Sequence, residues 1–242
     1  MTPILLIPAR MASTRLPNKP LADIAGVPMI VRVWQRAMAA GIGPVVVAAG
    51  DGVIVEAVKQ AGGQAVLTDP GLASGSDRIW AALTSVDDQG RYDMIINLQG
   101  DLPVLDPGQI RAVAQALEIS GADIATLVAP IDNAADRVNP AVVKAVVAWD
   151  RDERLGRALY FTRSPAPSGD GPMWHHVGIY AYRRAALERF VALPPSPLES
   201  REKLEQLRAL EAGMTIAVAR VDEAPLSVDT PQDLERARTV IS

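Results

Sequence analysis

The strongest constraint on the fold of this chain is a series of short, almost wholly apolar runs that alternate with helix-patterned segments. Ile4-Leu5-Leu6-Ile7, Val45-Val46-Val47-Ala48-Ala49, Ala65-Val66-Leu67, Met94-Ile95-Ile96-Asn97-Leu98 and Ile124-Ala125-Thr126-Leu127-Val128 show no polar alternation. Strands of this kind are buried on both faces and belong to a parallel sheet covered by helices. Pro28 suits the start of the first helix, in which Ile30, Val33, Trp34 and Ala37 recur at helical spacing up to Gly41. A second helix is expected through Val58 to Gly62-Gly63, a third capped by Ser76, and a fourth from about Pro107 to Ile119.

The second half is patterned differently. Ala141 to Trp149 and Val177 to Tyr182 are expected strands, joined through the Pro- and Gly-rich stretch Ser164 to Pro172, which is read as a mobile loop over a site. A long helix is expected after Pro197 with Leu204, Leu207 and Leu210 on one face. A strand over Thr215 to Val221 and a terminal helix from Asp229-Thr230-Pro231 complete the chain. The expected architecture is α/β: a Rossmann-like, mostly parallel mixed sheet with helices on both faces, plus a smaller α+β part.

At 242 residues the chain is long enough for a substantial core. Its net charge of -4 argues against a general nucleic-acid or membrane-surface binder. No cysteine is present, which excludes disulfides, thiolate metal sites and a cysteine nucleophile. No signal peptide or membrane span is expected, and a cytoplasmic protein is.

Against this mildly acidic background, the first strand runs into a loop of one sign. Arg10, Arg15 and Lys19 fall within ten residues, and the first acid in the chain is Asp23. Open α/β sheets bind ligands at the carboxyl ends of their strands. Three uncompensated cations there repel one another unless an anion lies among them, and polyphosphate suits the paired donors of Arg and the point charge of Lys.

Two acids are candidate Mg2+ ligands. Asp101, in Gln99-Gly100-Asp101, follows a buried strand and suits a cation that takes few carboxylates plus phosphate and water, although Gly-Asp is also ordinary turn chemistry. Asp229 precedes Thr230-Pro231, where an N-cap fits as well as a ligand. Ser74-Gly75-Ser76-Asp77-Arg78 forms a small turn at a helix start that could hold a base or ribose, with Arg78 facing an anion. The only two histidines, His175 and His176, point to opposite faces of a strand and cannot share a metal, whereas His176 and Tyr180 share a face. There is no Gly-x-Ser-x-Gly elbow, no His-Glu-x-x-His, no Walker loop, and no Gly-x-Gly-x-x-Gly after the first strand.

The segments IPARMASTRLPNKPLADIAGVPMI, ASGSDR, NLQGDLP, NPAVVKAV, ALYFTRSPAP, HHVGIYAYRR, PPSPLESREKLEQLRALEAG and VDTPQDLERAR run in order from residue 7 to 238. Together they resemble the 3-deoxy-D-manno-octulosonate (Kdo) cytidylyltransferase family over essentially the whole chain. The resemblance implies a nucleotidyltransferase fold in one domain, with 1–130 mainly binding CTP, 131–225 mainly binding sugar and dimerising, and 226–242 returning to the nucleotide part. It implies that CTP and Kdo, an acidic eight-carbon sugar, give CMP-Kdo and diphosphate for lipopolysaccharide biosynthesis, with Mg2+ as cofactor, in a cytoplasmic homodimer. It assigns Arg10, Lys19, Asp101 and Asp229 to catalysis and the two acids to the metal. Arg10, Ser13, Arg15, Lys19, Ser74, Gly75, Arg78 and Gln99 fall to the nucleotide, and Gln99, Arg163, His176, Tyr180 and Gln206 to the sugar. Arg163 is the expected partner of the sugar's carboxylate or hydroxyls.

The chain departs from the family pattern at two places. Ala48-Ala49-Gly50 replaces the usual Ala-Thr-Asp, leaving Asp51 one residue late, and Leu102 stands where many members carry Glu. A cytidylyltransferase for an amino analogue of Kdo or for a sialic acid, and a catalytically silent nucleotide-binding regulator, remain alternative readings.

Overall fold

A computed structural model describes residues 1–13 and 15–241; Thr14 of the basic loop and Ser242 lie outside the described residues. The chain forms two compact units, Met1–Arg111 with Pro225–Ser242, and Ala112–Ala224.

The first unit contains β1 (Pro3–Ala9), the two-residue strands β2 (Asp23–Ile24) and β3 (Val27–Pro28), α1 (Met29–Ala39), β4 (Val45–Ala49) and α2 (Gly52–Gln60). It continues through β5 (Gln64–Leu67), α3 (Gly75–Val86), β6 (Met94–Asn97) and the start of α4 (Pro107–Ser120). The second unit holds the rest of α4, β7 (Ile124–Pro130), α5 (Ala134–Val138), β8 (Lys144–Trp149), β9 (Leu155–Thr162) and β10 (Trp174–Arg183). Then follow α6 (Arg184–Ala192), α7 (Pro197–Glu202), α8 (Gln206–Glu211) and β11 (Ile216–Arg220), before α9 (Pro231–Ile241) in the first unit.

In the first unit the strand order is β5-β4-β1-β6, with every pairing parallel. β1, β4 and β6 are buried almost throughout, as continuous apolar strands require. In the second unit the order is β10-β7-β11-β9-β8. There β7 and β11 are parallel while β10, β9 and β8 run antiparallel to their neighbours, and β8 also pairs with β10. No helix among the described residues is long and apolar enough to cross a membrane.

Several elements differ from the expectation. β9 is absent from the sequence reading because Leu155–Thr162 mixes apolar and polar residues, and its burial alternates irregularly. β8 begins three residues late, at Lys144, because Asn139 and Pro140 make a turn in which Val142 N–H donates to the Asn139 carbonyl. The third helix is capped by Ser74, not Ser76: Ser74 Oγ accepts from Asp77 N–H, and Asp77 Oδ2 accepts from Ser74 N–H. This reciprocal capping box leaves Ser76 buried inside the helix.

The long helix expected after Pro197 is two short ones. Lys203 adopts a left-handed conformation at φ 58° and breaks it. Arg163 then takes the carbonyls released at the break, donating from Nε to Glu202 O (2.8 Å) and from Nη2 to Lys203 O (3.3 Å). Because a non-glycine residue pays about 1 kcal/mol in this conformation, Lys203→Gly is expected to stabilise the second unit by up to about that amount. Thermal melting checks this, and a lower melting temperature would show that the Lys203 side chain contributes more than its backbone costs.

Candidate functional site

The carboxyl ends of β1, β4 and β6 are tied together by short contacts. Gly50 N–H donates to Ala9 O at 2.8 Å, and Asp51 Oδ2 accepts from Met11 N–H at 2.7 Å. Asp51 therefore pins the first turn of the basic loop, a role that neither composition nor periodicity signals. Gly100 is required where it stands, since a Cβ there would come within 2.9 Å of Pro8 O.

The Ala49-Gly50 departure has a physical counterpart. A Cβ on Gly50 would lie 2.8 Å from Arg78 Nη1 and 3.3 Å from Arg10 Cβ, so the Arg78 guanidinium occupies the space a side chain would fill. Arg78 is only 2% exposed and donates to Thr68 Oγ1 (2.6 Å), Asp69 O and Pro70 O. Thr68 in turn donates to Ala49 O. Burial first, and then the neighbouring Arg10 charge, push the Arg78 pKa down from its ordinary value. Arg10, Ser74, Gly75, Arg78 and Gln99 line a cavity of about 200 Å³.

A second cavity, of about 380 Å³, shares Pro8, Ala9, Arg10 and Gln99 with the first and adds Ser13, Arg15, Lys19, Asp101 and Asp229. Here the cations are not uncompensated as the local sequence suggests. Lys19 Nζ lies 2.8 Å from Asp101 Oδ2 and 2.9 Å from Asp229 Oδ1, partners 82 and 210 positions away. Arg15 Nη2 lies 3.2 Å from the same Asp229 oxygen. Burial acts to lower the Lys19 pKa, but the two carboxylates outweigh it and hold the ammonium above its ordinary value.

Asp229 is free for this role because another residue caps α9. Thr230 Oγ1 accepts from Asp233 N–H, and Asp233 Oδ2 accepts from the N–H groups of Thr230 and Asp229. Val228 N–H donates to Asp101 O at 2.9 Å, setting the two acids side by side. Val228 is itself buried with Leu16, Ile24, Met29, Leu234 and Ala237, so one apolar cluster holds both the basic loop and the C-terminal segment.

Two carboxylates that converge on one cation fit Mg2+, a hard ion that takes a few carboxylate oxygens and completes its shell with phosphate and water. No cluster of three or more His, Cys, Asp or Glu suited to a metal occurs among the described residues.

In the second unit, His176 and Tyr180 are both buried on β10, with ring centroids 5.4 Å apart. Phe161 meets the His176 ring edge-on at 4.8 Å. Burial, with a smaller contribution from His175, lowers the His176 pKa to about 3. Burial, followed by Tyr182 and Glu205, raises that of Tyr180 well above its ordinary value. Glu205 is thereby placed near Tyr180, beside Gln206, and was not singled out in the sequence. Gln206 is 8% exposed, and its Nε2 is buried without a hydrogen-bond partner. Arg163 is placed otherwise: its guanidinium donates to the carbonyls of Pro140, Glu202 and Lys203. No hydrogen bond among the described residues joins it to His176, Tyr180 or Gln206.

A parallel β5-β4-β1-β6 sheet with a basic, two-carboxylate cleft at its strand ends is the arrangement of a nucleotidyltransferase. A nucleotidyl transferase from Methanothermobacter shares the fold at a TM-score of 0.63 and 15% identity, over 99% of this chain and 97% of its own. The family model described as cytidylyltransferase matches residues 4–216, and the chain belongs to that family. It is 64% identical to a 3-deoxy-manno-octulosonate cytidylyltransferase of Parvibaculum lavamentivorans, over 99% of this chain and 93% of that one. It is 60% identical to the protein of the same name from Paramagnetospirillum magneticum, over 100% and 98%. The solved structure of a CMP:2-keto-3-deoxy-manno-octonic acid synthetase complexed with CTP is 40% identical, with a TM-score of 0.90 over 100% and 98% of the two chains.

Because Thr230 caps α9, the two roles open to Asp229 separate experimentally. Asp229→Asn should leave α9 capped, lower the melting temperature only by what its charged bonds to Lys19 and Arg15 contribute, and cut cytidylyl transfer at least 100-fold. Thr230→Ala should cost about 1 kcal/mol of stability. Near-normal turnover in the Asp229 variant would remove that carboxylate from the site.

His176 also makes a pH prediction. Between about 3, its folded value, and 6.5, its unfolded value, only the unfolded chain carries the proton. Stability should therefore fall as pH drops through this window, by up to about 1.4 kcal/mol per unit. Melting curves at pH 6.5 and 4.5 should show a steeper loss for the native protein than for His176→Gln.

Proposed function

We propose that this protein transfers a cytidylyl group from CTP to 3-deoxy-D-manno-octulosonate, giving CMP-Kdo and diphosphate. The observation that carries the reading is the match, over 99% of the chain, to a relative named for that reaction. The first unit supplies what such a transfer needs. The smaller cavity, walled by Ser74, Gly75 and Gln99, is read as the nucleoside site, and the larger one is lined by Arg10, Ser13, Arg15 and Lys19, which would meet the phosphates.

The anomeric oxygen of the sugar forms its bond to the α-phosphorus as the bond to the bridging oxygen breaks and diphosphate departs. Positioning and charge neutralisation dominate such transfers. Arg15 and Lys19 meet the charge that grows on the leaving diphosphate. Asp101 and Asp229 are the residues that would hold Mg2+, which when bound neutralises phosphate oxygens and acidifies the attacking hydroxyl. Lys19, which lies between the two carboxylates, would offer its remaining ammonium N–H to the phosphates.

In the second unit Gln206, His176 and Tyr180 are proposed to hold the sugar acid. The support is the buried, unpartnered Nε2 of Gln206, which leaves a donor whose desolvation a ligand would offset. Arg163 contributes by fixing the turns at 139–140 and 202–203, and offers its remaining N–H groups to the sugar. A role in lipopolysaccharide biosynthesis and a cytoplasmic site of action are proposed from the sequence resemblance to the Kdo cytidylyltransferase family. A homodimer is proposed through the second unit, where Ile119, Ala122, Leu155 and Ile216 line an apolar groove of about 530 Å³ and Ile119 is 64% exposed.

The test is diphosphate release from CTP with Mg2+ and each acidic sugar in turn. Release with Kdo, and little with sialic acid or an amino analogue, is expected. Release only with another sugar would move the assignment, and none with any sugar would favour a silent nucleotide binder. Gln206→Ala should raise KM for Kdo at least tenfold while KM for CTP stays within about twofold. Lys19→Ala should act mainly on kcat, by about 100-fold.

A further inference from the structure

Thr126 is a fully buried polar residue in the middle of β7, where an apolar side chain would ordinarily pack. Its Oγ1 has three neighbours: Ile179 O at 2.9 Å, Val177 O at 3.1 Å and His176 Nε2 at 3.0 Å. They meet there because β10 slips register against β7. Val177 pairs with Leu127, yet Tyr180 pairs with Thr126, so the bulge between them turns two carbonyls toward one hydroxyl.

A threonine hydroxyl has one proton to give and two lone pairs to receive. Carbonyl oxygens can only accept, so the proton goes to them. His176 Nε2 must then be the donor, and the imidazole carries its single proton on that nitrogen. The ring's surroundings keep it at a single proton: Phe161 and Tyr180 flank it, and His175 is the nearest other titratable base, with Tyr182 and Glu205 beyond Tyr180. Nδ1 is left with a lone pair and no partner among the described residues.

We propose that Thr126 is a positioning residue that fixes His176 as the Nε2–H tautomer, so that Nδ1 faces the ligand as a hydrogen-bond acceptor and selects a sugar hydroxyl rather than the sugar's carboxylate. The proposal rests on the assignment of the sugar to the second unit. It also divides the recognition of the sugar: His176 accepts a hydrogen bond from a hydroxyl, while the anionic end of the sugar must be met by donors elsewhere. Thr126 contacts no substrate and acts only through the ring and the bulge carbonyls.

The chain has only two histidines, so ¹⁵N-histidine labelling and two-bond ¹H–¹⁵N correlation read both rings directly, with His176→Gln giving the assignment. His176 in the native protein at pH 7 is expected as the Nε2–H tautomer, and addition of Kdo should shift its Nδ1 resonance. Thr126→Ser should preserve the tautomer and keep KM for Kdo within about threefold. Thr126→Val, which removes the hydroxyl at nearly constant shape, should mix the tautomers and raise KM for Kdo about tenfold, the worth of one neutral hydrogen bond, with KM for CTP within about twofold. An Nδ1–H tautomer in the native protein overturns the proposal without any variant, and leaves the sugar assignment standing if Kdo still shifts His176. The expected tautomer with no response to Kdo overturns the sugar contact, and with it the proposal. A Thr126→Val protein with equal losses for CTP and Kdo would reduce Thr126 to a core hydroxyl.

Discussion

The first unit is organised by a single ammonium. Lys19 Nζ joins Asp101 at the end of β6 to Asp229 at the entrance of α9, linking segments that the chain separates by almost its whole length. Drawing three charges partly out of water, with Asp229 still 40% exposed, is favourable only where their geometry is close. That condition is met by backbone ties around the triad. Val228 N–H aligns the two acids, the Thr230–Asp233 box relieves Asp229 of capping, and Leu16 and Val228 anchor their segments in one apolar cluster. The arrangement stores two carboxylates and one ammonium beside a basic loop. Those are the charges that phosphoryl-type chemistry uses, held in mutual balance.

The cavity beside the triad has the opposite character. Arg10 and Arg78 are like charges near Gly50, and the second cation is buried. Arg78 tolerates this because Thr68 and the carbonyls of Asp69 and Pro70 receive its donors. The glycine that replaces the usual acidic residue thus makes room for the guanidinium. The acid that remains, Asp51, turns to the backbone of the basic loop. Gly50 and Asp51 make these contacts at the strand ends, apart from the Asp101–Lys19–Asp229 triad.

The second unit relies on neutral polar groups. His176, Thr126, Tyr180 and Gln206 are buried, and burial holds the imidazole neutral and the phenol protonated. In the proposed reading such groups would meet a polyhydroxylated ligand by donor and acceptor direction, which is sensitive to a single misplaced proton. Arg163 and the fully buried Lys144 work on the frame: Lys144 Nζ donates to the carbonyls of Asn139 and Arg163, and Arg163 to those of Pro140, Glu202 and Lys203.

By itself the sequence determined the parallel sheet of the first unit, because β1, β4 and β6 are continuous apolar runs whose burial depends only on their own side chains. It also determined that a basic loop follows β1, and, through motifs spread along the whole chain, the family. Tertiary structure decided everything that depends on partners distant in sequence. Whether Asp229 caps a helix or faces a cation could not be read from Ser227-Val228-Asp229-Thr230, since both roles suit an acid before Thr-Pro; only the approach of Lys19 and the competing Thr230 cap separate them. The break at Lys203, the strand β9 and the engagement of Arg163 were hidden for the same reason. The proton on His176 was hidden too, because it is set by a hydroxyl fifty residues earlier and by a bulge that no local pattern encodes. Local propensity follows from neighbours in sequence, whereas charge pairing, tautomer and hydrogen-bond direction follow from neighbours in space.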